Sequence, residues 1–414
     1  MRFFTRFVCC VSVLAAATGA VIRKPDHDKH WVATWTAMPQ EVESSNLPPQ
    51  PFGGLDAEYQ FQNATLRQTV RVSIGGDRFR IQLSNLFGKT ELHITAASVA
   101  LPVDGGAGIG EVDTSTIQHL TFGGEASTII MPDATRYTDL IHFPLKPLTN
   151  VAITLYTRDG QAGVNITGHP GSRTTSWVTA GNKVDSPSVA GGNTTHWYFI
   201  SAVDTLAPRD TVGLVILGDS ITDGRGSDDN QNNRWPDFLA ERLQKSHSTR
   251  IAVNNEAAGG NAVLQGGLGP PLLQRYHRDA LGQNGVKYVM IFEGVNDIGV
   301  SNPDNATQAK LFNDLIKAYT RIIADCKDAG LVTIGATITP FGGSQYADPM
   351  REKTRLRVND WISNYSPFDH TVDFSAFIGV GDTLRPEFDS GDQLHPNVAA
   401  YREMAERIDL GIFH

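Results

Sequence analysis

The sequence has 414 residues, 40% of them hydrophobic, with a formal charge of -9 and an isoelectric point near 5.7. A single domain usually has about 100 to 200 residues, so we expect two domains, each with its own apolar core. The acidic charge argues against a nucleic acid or an anionic membrane as a partner, because either surface would repel it.

Residues 1–20 have the features of a secretory signal peptide. Arg2 and Arg6 give a positive start, residues 8–17 are apolar, and residues 18–20 (Thr-Gly-Ala) form a small-residue cleavage site. The apolar stretch is shorter than the about 20 residues that span a membrane. We therefore expect a secreted, extracellular protein without a membrane anchor.

Removal of this peptide would leave Cys326 as the only cysteine, so no intrachain disulfide can form. Its spacing from Leu315, Tyr319 and Ile322 places it on an apolar helix face, which predicts a buried and unreactive thiol. Sequons for N-glycosylation support a secreted glycoprotein. The candidate asparagines are Asn63, Asn165, Asn193, Asn305 and Asn364.

Residues 30–205 alternate apolar and polar side chains between turn signals, which predicts an antiparallel β-sandwich or jelly-roll domain. The clearest pattern is a hairpin, in which residues 70–74 and 79–83 share an apolar face and Gly75-Gly76 forms the tight turn. Further predicted strands are residues 94–101, 151–156 and 196–200.

Residues 210–414 alternate apolar strands with amphipathic helices, which predicts an α/β domain with a mostly parallel sheet. The predicted strands are residues 212–217, 251–254, 288–292, 332–338 and 371–374. Helices are expected to begin near Pro236, Pro271, Asn305 and Pro396. The linker around Pro208 is short, so we expect the two domains to pack against each other.

Four polar blocks follow predicted strands or precede the last helix, where ligands bind in open α/β sheets. The blocks are Gly218-Asp219-Ser220-Ile221-Thr222, residues 255–261 (Asn-Glu-Ala-Ala-Gly-Gly-Asn), Gly294-Val295-Asn296-Asp297 and Asp392-Gln393-Leu394-His395-Pro396. Because the carboxyl ends of parallel strands share one edge, these side chains are expected to converge on one crevice.

The blocks contain the components of nucleophilic ester cleavage. A serine hydroxyl needs a base with a pKa near 7, which an imidazole held by a carboxylate supplies. Ser220 is the predicted nucleophile, His395 the base, and Asp392, three residues earlier, the group that orients the imidazole. The backbone N–H groups of Ser220 and Gly260 and the side-chain amide of Asn296 are candidate oxyanion donors, with Gly259 as a rival to Gly260.

In this order, the four blocks resemble the GDSL-motif or SGNH hydrolase superfamily over roughly residues 210–410. The resemblance implies a flavodoxin-like, three-layer α/β/α fold and supports the same residues: Ser220, Asp392 and His395 as the triad, and Gly260 and Asn296 as oxyanion donors. One departure is Ala257, where a glycine is common in the family.

The amino-terminal half, opening with His30-Trp31-Val32-Ala33-Thr34-Trp35, is similar to secreted two-domain acylhydrolases related to carbohydrate esterases. This similarity implies esters on carbohydrate as the substrate class of a serine esterase. The sequence has no long amphipathic apolar segment resembling a lipase lid, so we expect short acyl groups, acetyl first, on a polysaccharide. We expect no metal and no cofactor. The acyl chain, the alcohol, the oligomeric state and the role of the β domain are left open.

Each block has a structural alternative, because its residues also favour turns and helix caps. Asp223, Asp382 and Asp389 rival Asp392, and His370 rivals His395, although it precedes a strand and belongs at the other edge of the sheet. Two further functions stay open: a lipase, lysophospholipase or arylesterase, and an inactive secreted carbohydrate-binding protein. For the second, Trp31, Trp35, Trp177 and Trp197 would stack on sugars, although aromatic residues of a sandwich usually form its core.

Overall fold

A computed structural model describes residues 28–246 and 249–413. The expected signal peptide lies outside the described residues. Up to Pro208 the strands pair in antiparallel fashion, and the main sheet that begins at Val212 is parallel. The architecture thus changes where the hydrophobic period of the sequence changes.

The amino-terminal region contains two main antiparallel sheets. The first consists of Lys29–Thr36, Ile200–Pro208, Gly76–Ser84, Thr135–Tyr137 and Ile141–Leu145. The second consists of Gly192–Thr194, Ser176–Ala180, Ala64–Arg71, Asn150–Thr157, Ala96–Ala100 and Gln118–His119. Side chains from both sheets, such as Val70 and Phe79, form one hydrophobic cluster. Shorter elements are the strands Gln40–Glu41, Tyr59–Gln60, Leu92–Ile94, Thr128–Ile130, Gln161–Ala162, Thr167–His169 and Trp197–Tyr198, and the 3₁₀ turns Ser44–Asn46, Val103–Gly105 and Thr114–Thr116.

The hairpin predicted at Gly75-Gly76 is wrong. Ala64–Arg71 belongs to the second sheet and Gly76–Ser84 to the first, so the chain crosses between sheets at these glycines. A Cβ atom on Gly75 would lie 2.3 Å from the carbonyl oxygen of Leu145. Close backbone packing at this crossing, and not a positive φ, therefore explains why Gly75 is a glycine.

The carboxy-terminal region contains five parallel strands, and all five predicted strands are present. Across the sheet they are Ile251–Ala257, Val212–Gly218, Val286–Phe292, Val332–Ala336 and His370–Val372. Numbered along the chain, this order is 2-1-3-4-5, in which the direction of winding reverses between the first and third strands. Such a reversal opens a crevice beyond the carboxyl ends of those strands.

Helices cover the parallel sheet. They are Ser220–Asp223, Trp235–Lys245, Leu272–Tyr276, Val295–Val300, Asn305–Asp328, Pro349–Asn364, Phe374–Ile378 and Val398–Arg407, with a π-helical turn at His277–Leu281, 3₁₀ turns at Pro386–Phe388 and Leu410–Ile412, and a small strand pair, Gly379–Val380 with Thr383–Leu384. The last helix starts two residues after the predicted Pro396, because Asn397 caps it by accepting a hydrogen bond from Ala400 N at 3.0 Å. Pro349–Asn364 has no counterpart among the predicted helices.

The two regions pack against each other, as the short linker predicts. The side chain of Asn254, in the second parallel strand, donates to the carbonyl of Ala33 at 2.9 Å. The neighbouring Val253 N donates to Ser73 Oγ at 3.0 Å. These buried bonds tie the amino-terminal region to the edge strand of the parallel sheet.

Cys326 is buried on the predicted helix face, and burial raises the pKa of its thiol to about 12. The prediction of an unreactive core cysteine agrees with this environment. Across residues 28–246 and 249–413, none of the helices combines the length and the apolar character needed to cross a membrane.

Candidate active site

Ser220 lies at the end of the first parallel strand, where the chain turns sharply into a one-turn helix. Asp219 caps this helix by accepting a hydrogen bond from Ile221 N at 3.0 Å, and Gly224 ends it with a φ of 98°. Ser220 is therefore the first residue of a helix, with its N–H pointing away from the helix body. Its side chain is nearly buried, at 7% exposure.

The structure brings the three predicted triad residues together. Ser220 Oγ lies 2.8 Å from His395 Nε2, and His395 Nδ1 lies 2.7 Å from Asp392 Oδ2. Asp392 Oδ1 also accepts hydrogen bonds from Leu394 N at 3.0 Å and from His395 N at 2.8 Å. The short spacing thus folds into a loop in which one carboxylate holds both the backbone and the ring of the histidine.

This environment keeps the imidazole neutral and the carboxylate charged. Burial lowers the pKa of His395 against the opposing effect of Asp392, and the positive charges of Arg225 and Arg173 lower it further. Burial alone would raise the pKa of Asp392, but the hydrogen bonds from His395 hold it below its ordinary value. A neutral imidazole whose Nδ1–H is held by Asp392 has Nε2 free to accept the serine proton.

The structure distinguishes Gly260 from Gly259 as the candidate oxyanion donor. Gly259 N donates to Asp223 Oδ2 at 2.8 Å. Among the described residues, Gly260 N and Ser220 N have no hydrogen-bond acceptor. Gly260 adopts a φ of 71°, which an L side chain rarely adopts. The free N–H of Gly260 matches the predicted oxyanion donor, whereas that of Gly259 is already engaged.

Asn296 lies in the same crevice, on the helix after the third strand. Its Nδ2 donates to the carbonyl of Asn261 at 2.7 Å, and its Oδ1 accepts from the Tyr346 hydroxyl at 2.9 Å. These two bonds fix which end of the amide is NH₂. The second Nδ2 hydrogen stays available for a substrate oxygen.

Arg275 supports the crevice from behind, and no sequence motif marks it as a site residue. This fully buried guanidinium donates to the carbonyls of Gly218 at 3.2 Å and Glu256 at 2.5 Å, and to Asn261 Oδ1 at 2.9 Å. It also donates a hydrogen bond to Oε2 of the buried Glu293 at 3.2 Å. One side chain thereby links the ends of the first three strands, from which the serine and both oxyanion loops emerge.

Asp297 has a supporting role in this site. Its carboxylate accepts hydrogen bonds from Val263 N at 2.8 Å and Leu264 N at 3.0 Å, which ties the third block to the loop of the second. Burial raises the pKa of Asp297 to about 6. Asp297 therefore holds the Gly260 loop and does not reach Ser220.

The acids that could replace Asp392, and the histidine that could replace His395, lie in environments outside the triad. Asp223 contacts His169 Nε2 at 3.0 Å, and Asp389 accepts from backbone N–H groups of its own loop, including Gln393 N at 2.8 Å. Asp382 is exposed. His370 starts the fifth parallel strand, at the edge of the sheet opposite the crevice. None of them contacts His395 in place of Asp392, or Ser220 in place of His395.

Both regions of the chain form the crevice. The cleft has a volume of about 390 Å³. The carboxy-terminal region contributes Ser220, Arg225, Gly260, Asn296, Tyr346 and His395, and the amino-terminal region contributes Gln40, Glu43, Asn46, Arg173 and His196. The amino-terminal region therefore supplies one wall of the cleft.

The tryptophans lie outside this cleft wall. Trp35 and Trp197 are buried and pack edge to face, with ring centroids 4.9 Å apart. The indole N–H of Trp177 donates to the carbonyl of Gly108 at 2.8 Å, and Arg80 covers the ring of Trp31. These contacts are those of structural residues. Of the sequon asparagines, Asn63, Asn193, Asn305 and Asn364 are exposed and Asn165 is half-buried.

The region that contains this site is similar to known proteins. The model of the GDSL-like lipase/acylhydrolase family matches residues 216–403. No curated protein matches the chain. Similar solved structures include a lipolytic protein of the G-D-S-L family from Desulfitobacterium hafniense, with 21% identity and a TM-score of 0.36 over 47% of this chain and 96% of that one. An acetylxylan esterase from Geobacillus stearothermophilus has 23% identity and a TM-score of 0.36, over 47% of this chain and 91% of the esterase.

Proposed function

We propose, from the premise that residues 216–403 belong to the GDSL-like lipase/acylhydrolase family, that the protein is a secreted serine esterase. Its substrate in this proposal is a carbohydrate that carries short acyl esters. The observation that carries the proposal is the continuous contact from Ser220 Oγ to His395 Nε2 at 2.8 Å and from His395 Nδ1 to Asp392 Oδ2 at 2.7 Å.

In this mechanism Ser220 Oγ attacks the ester carbonyl carbon while its proton passes to His395 Nε2. The carbonyl oxygen becomes an oxyanion, which accepts hydrogen bonds from the N–H groups of Ser220 and Gly260 and from Asn296 Nδ2. Collapse of this intermediate breaks the bond to the alcohol oxygen, which takes the proton from His395. Water then attacks the acyl-serine by the same steps and releases the carboxylic acid.

The lining of the cleft favours an ester whose alcohol part is polar over a lipid ester. The side-chain amides of Gln40, Asn46 and Gln345 line it, and such groups suit the hydroxyls of a sugar. Leu268 is the exposed aliphatic side chain at its rim, with 51% exposure. A long acyl chain would need a broader apolar surface. Secretion is proposed from the signal-peptide pattern, and the exposed sequons support it.

The proposal is tested with purified protein beside its Ser220→Ala variant, and with Ser127→Ala as a control at an exposed serine outside the cleft. Substrates are acetylated xylan and the nitrophenyl esters of acetate, octanoate and palmitate. We expect acetate release, a preference for the shortest ester, and a loss in Ser220→Ala of at least about a thousandfold in kcat.

Each of the other outcomes would support a different nucleophile or a different function. Activity that persists in Ser220→Ala would overturn the nucleophile assignment. A preference for palmitate would favour a lipase, and rapid turnover of the aryl esters alone would favour an arylesterase. Sugar binding without turnover of any ester would favour a carbohydrate-binding protein.

A further inference from the structure

Two arginines face the cleft without acidic partners. Arg173 extends from the amino-terminal region and Arg225 from the loop after the serine helix, and both line the cleft beside Ser220. Among the described residues no acceptor reaches Arg173 Nε, although this atom is buried, and no carboxylate pairs with Arg225. A buried donor of a charged group without an acceptor is costly, so its presence requires an explanation.

The acids that line the same cleft form hydrogen bonds with other residues and no salt bridge with these arginines. Glu43 accepts hydrogen bonds from Gln40 at 2.5 Å and from Asn46 at 3.0 Å. Asp223 is held by His169 at 3.0 Å and by Gly259 N at 2.8 Å. A chain with a formal charge of -9 therefore places two arginines that form no salt bridge with the described residues at the mouth of its reaction centre.

Both guanidinium groups lie close enough to the catalytic base to act on its charge. Arg225 and Arg173 each disfavour protonation of His395. Arg173 is also fixed in place, because its backbone has a φ of 49° and its carbonyl accepts from Asn230 N at 2.8 Å. The two arginines therefore approach the same part of the cleft from the two regions of the chain.

We propose that Arg173 and Arg225 form an anion subsite for a carboxylate on the alcohol part of the substrate, so that the esters cleaved are those of an acidic saccharide. This inference rests on the proposed esterase function. A guanidinium presents its N–H groups in a planar fork that matches a carboxylate.

A carboxylate on a saccharide fits better than the phosphate of a lysophospholipid, although arginine binds both anions. A lysophospholipid would bring a long acyl chain to the same cleft, where the side-chain amides of Gln40, Asn46 and Gln345 form part of the lining and Leu268 is the exposed aliphatic residue. An acidic sugar uses the guanidinium groups for its carboxylate and the amides for its hydroxyls.

The test compares two substrates that differ in one group: an acetylated uronic-acid oligosaccharide and the same oligosaccharide with its carboxyl groups reduced to alcohols. The readout is the ratio of kcat/KM for the acidic over the reduced form. We expect the wild-type protein to favour the acidic form at least about tenfold, and Arg173→Gln and Arg225→Gln each to lower the ratio by about tenfold. Arg209→Gln, which removes an exposed arginine outside the cleft, controls for net charge.

Salt provides a second readout, because screening weakens a charge contact at a partly exposed site. The wild-type ratio is expected to fall as ionic strength rises, and the ratio of the double arginine variant to stay flat. Equal kcat/KM for the two oligosaccharides, or a ratio that the arginine variants leave unchanged, would overturn the subsite while activity still depends on Ser220. A larger effect of the variants on a lysophospholipid would overturn the saccharide assignment. Activity independent of Ser220 would instead contradict the proposed function.

Discussion

The amide of Asn296 is held at both ends, by the carbonyl of Asn261 and by the hydroxyl of Tyr346. An oxyanion donor acts without reorganisation when its orientation is set before the substrate arrives. We expect Asn296→Ala to lower kcat about 10²- to 10³-fold with little change in KM. Tyr346→Phe, which leaves the amide but removes one of its anchors, should cost less.

These variants are compared by steady-state kinetics on nitrophenyl acetate, a small ester with few contacts beyond the reacting centre. A rise in KM with kcat unchanged in Asn296→Ala would assign the side chain to ground-state binding. An effect of Tyr346→Phe equal to that of Asn296→Ala would show that the hydroxyl itself reaches the substrate.

The protonation of His395 predicts the pH dependence of activity. Its pKa lies below the ordinary value of 6.5, chiefly because the ring is buried. Since only the neutral imidazole accepts the serine proton, kcat/KM should rise with pH to a midpoint below 6.5 and then level off. Arg225 adds to the lowering, so Arg225→Gln should move the midpoint upward and Arg209→Gln should not. A wild-type midpoint above 6.5 would contradict this environment.

The sequence predicts which residues form the candidate site better than it predicts the contacts among them. Ser220, His395 and Asp392 follow from motif and spacing, and the structure brings all three together. The choice between Gly259 and Gly260 depends on which N–H is already bonded, which no sequence spacing records. Arg275 has no local signature either, because its role arises only when three strand ends meet around it.

The short strand Thr167–His169 reaches the oxyanion loop from the other region of the chain. His169 Nδ1 lies 3.0 Å from the carbonyl of Met38, and its Nε2 lies 3.0 Å from Asp223 Oδ1. The imidazole thereby bridges the carbonyl of Met38 and the buried carboxyl group of Asp223. Asp223 in turn holds the N–H of Gly259, next to Gly260, the proposed oxyanion donor.

Removal of this imidazole should therefore affect both stability and catalysis. We expect His169→Phe to destabilise the protein by about 3 kcal/mol, because Asp223 would remain buried without its partner. The shifted Gly260 loop should lower kcat more than it changes KM. Thermal unfolding and steady-state kinetics measure the two effects.

The double variant His169→Phe/Asp223→Asn distinguishes the effect of the buried Asp223 charge from the effect of losing the imidazole ring. An asparagine can still accept from Gly259 N but carries no charge, so the double variant should regain part of both losses. Asp223→Asn alone completes the comparison. Losses in the double variant equal to the sum of those in His169→Phe and Asp223→Asn would show that the pair is not coupled.

Strands and helices whose sequences repeat apolar residues regularly can be predicted in this protein, and those without such a repeat cannot. The five parallel strands stand out as apolar runs. Helix Pro349–Asn364 does not, because its buried face includes Thr354, Arg355 and Asn359, whose hydrogen bonds replace apolar packing. The predicted hairpin failed for another reason, since two alternating runs joined by glycines fit a sheet-to-sheet crossing as well as a tight turn.

Across the whole molecule, the parallel sheet encloses acids that retain protons at neutral pH. Burial raises the pKa of Asp219 to about 7 and that of Glu293 to about 8, although Arg275 opposes the shift at both sites. Unfolding would expose these groups and return their pKa values to the ordinary range near 4. Between these values the folded state binds more protons than the unfolded state, so stability must fall as pH rises.

The contribution of the buried acids is best measured above about pH 6.5. The lowered pKa of His395 makes the free energy of unfolding rise with pH, but only below about pH 6.5. We expect the melting temperature of the wild-type protein to fall from about pH 6.5 to about pH 8.5. Glu293 accounts for about 2 kcal/mol of this loss, or about 5 °C. Glu293→Gln, a permanently neutral match for the protonated acid, should flatten the slope, whereas Glu387→Gln at an exposed site should leave it unchanged. A slope as steep in Glu293→Gln as in the wild-type protein would mean that Glu293 is ionised in the fold and paired with Arg275.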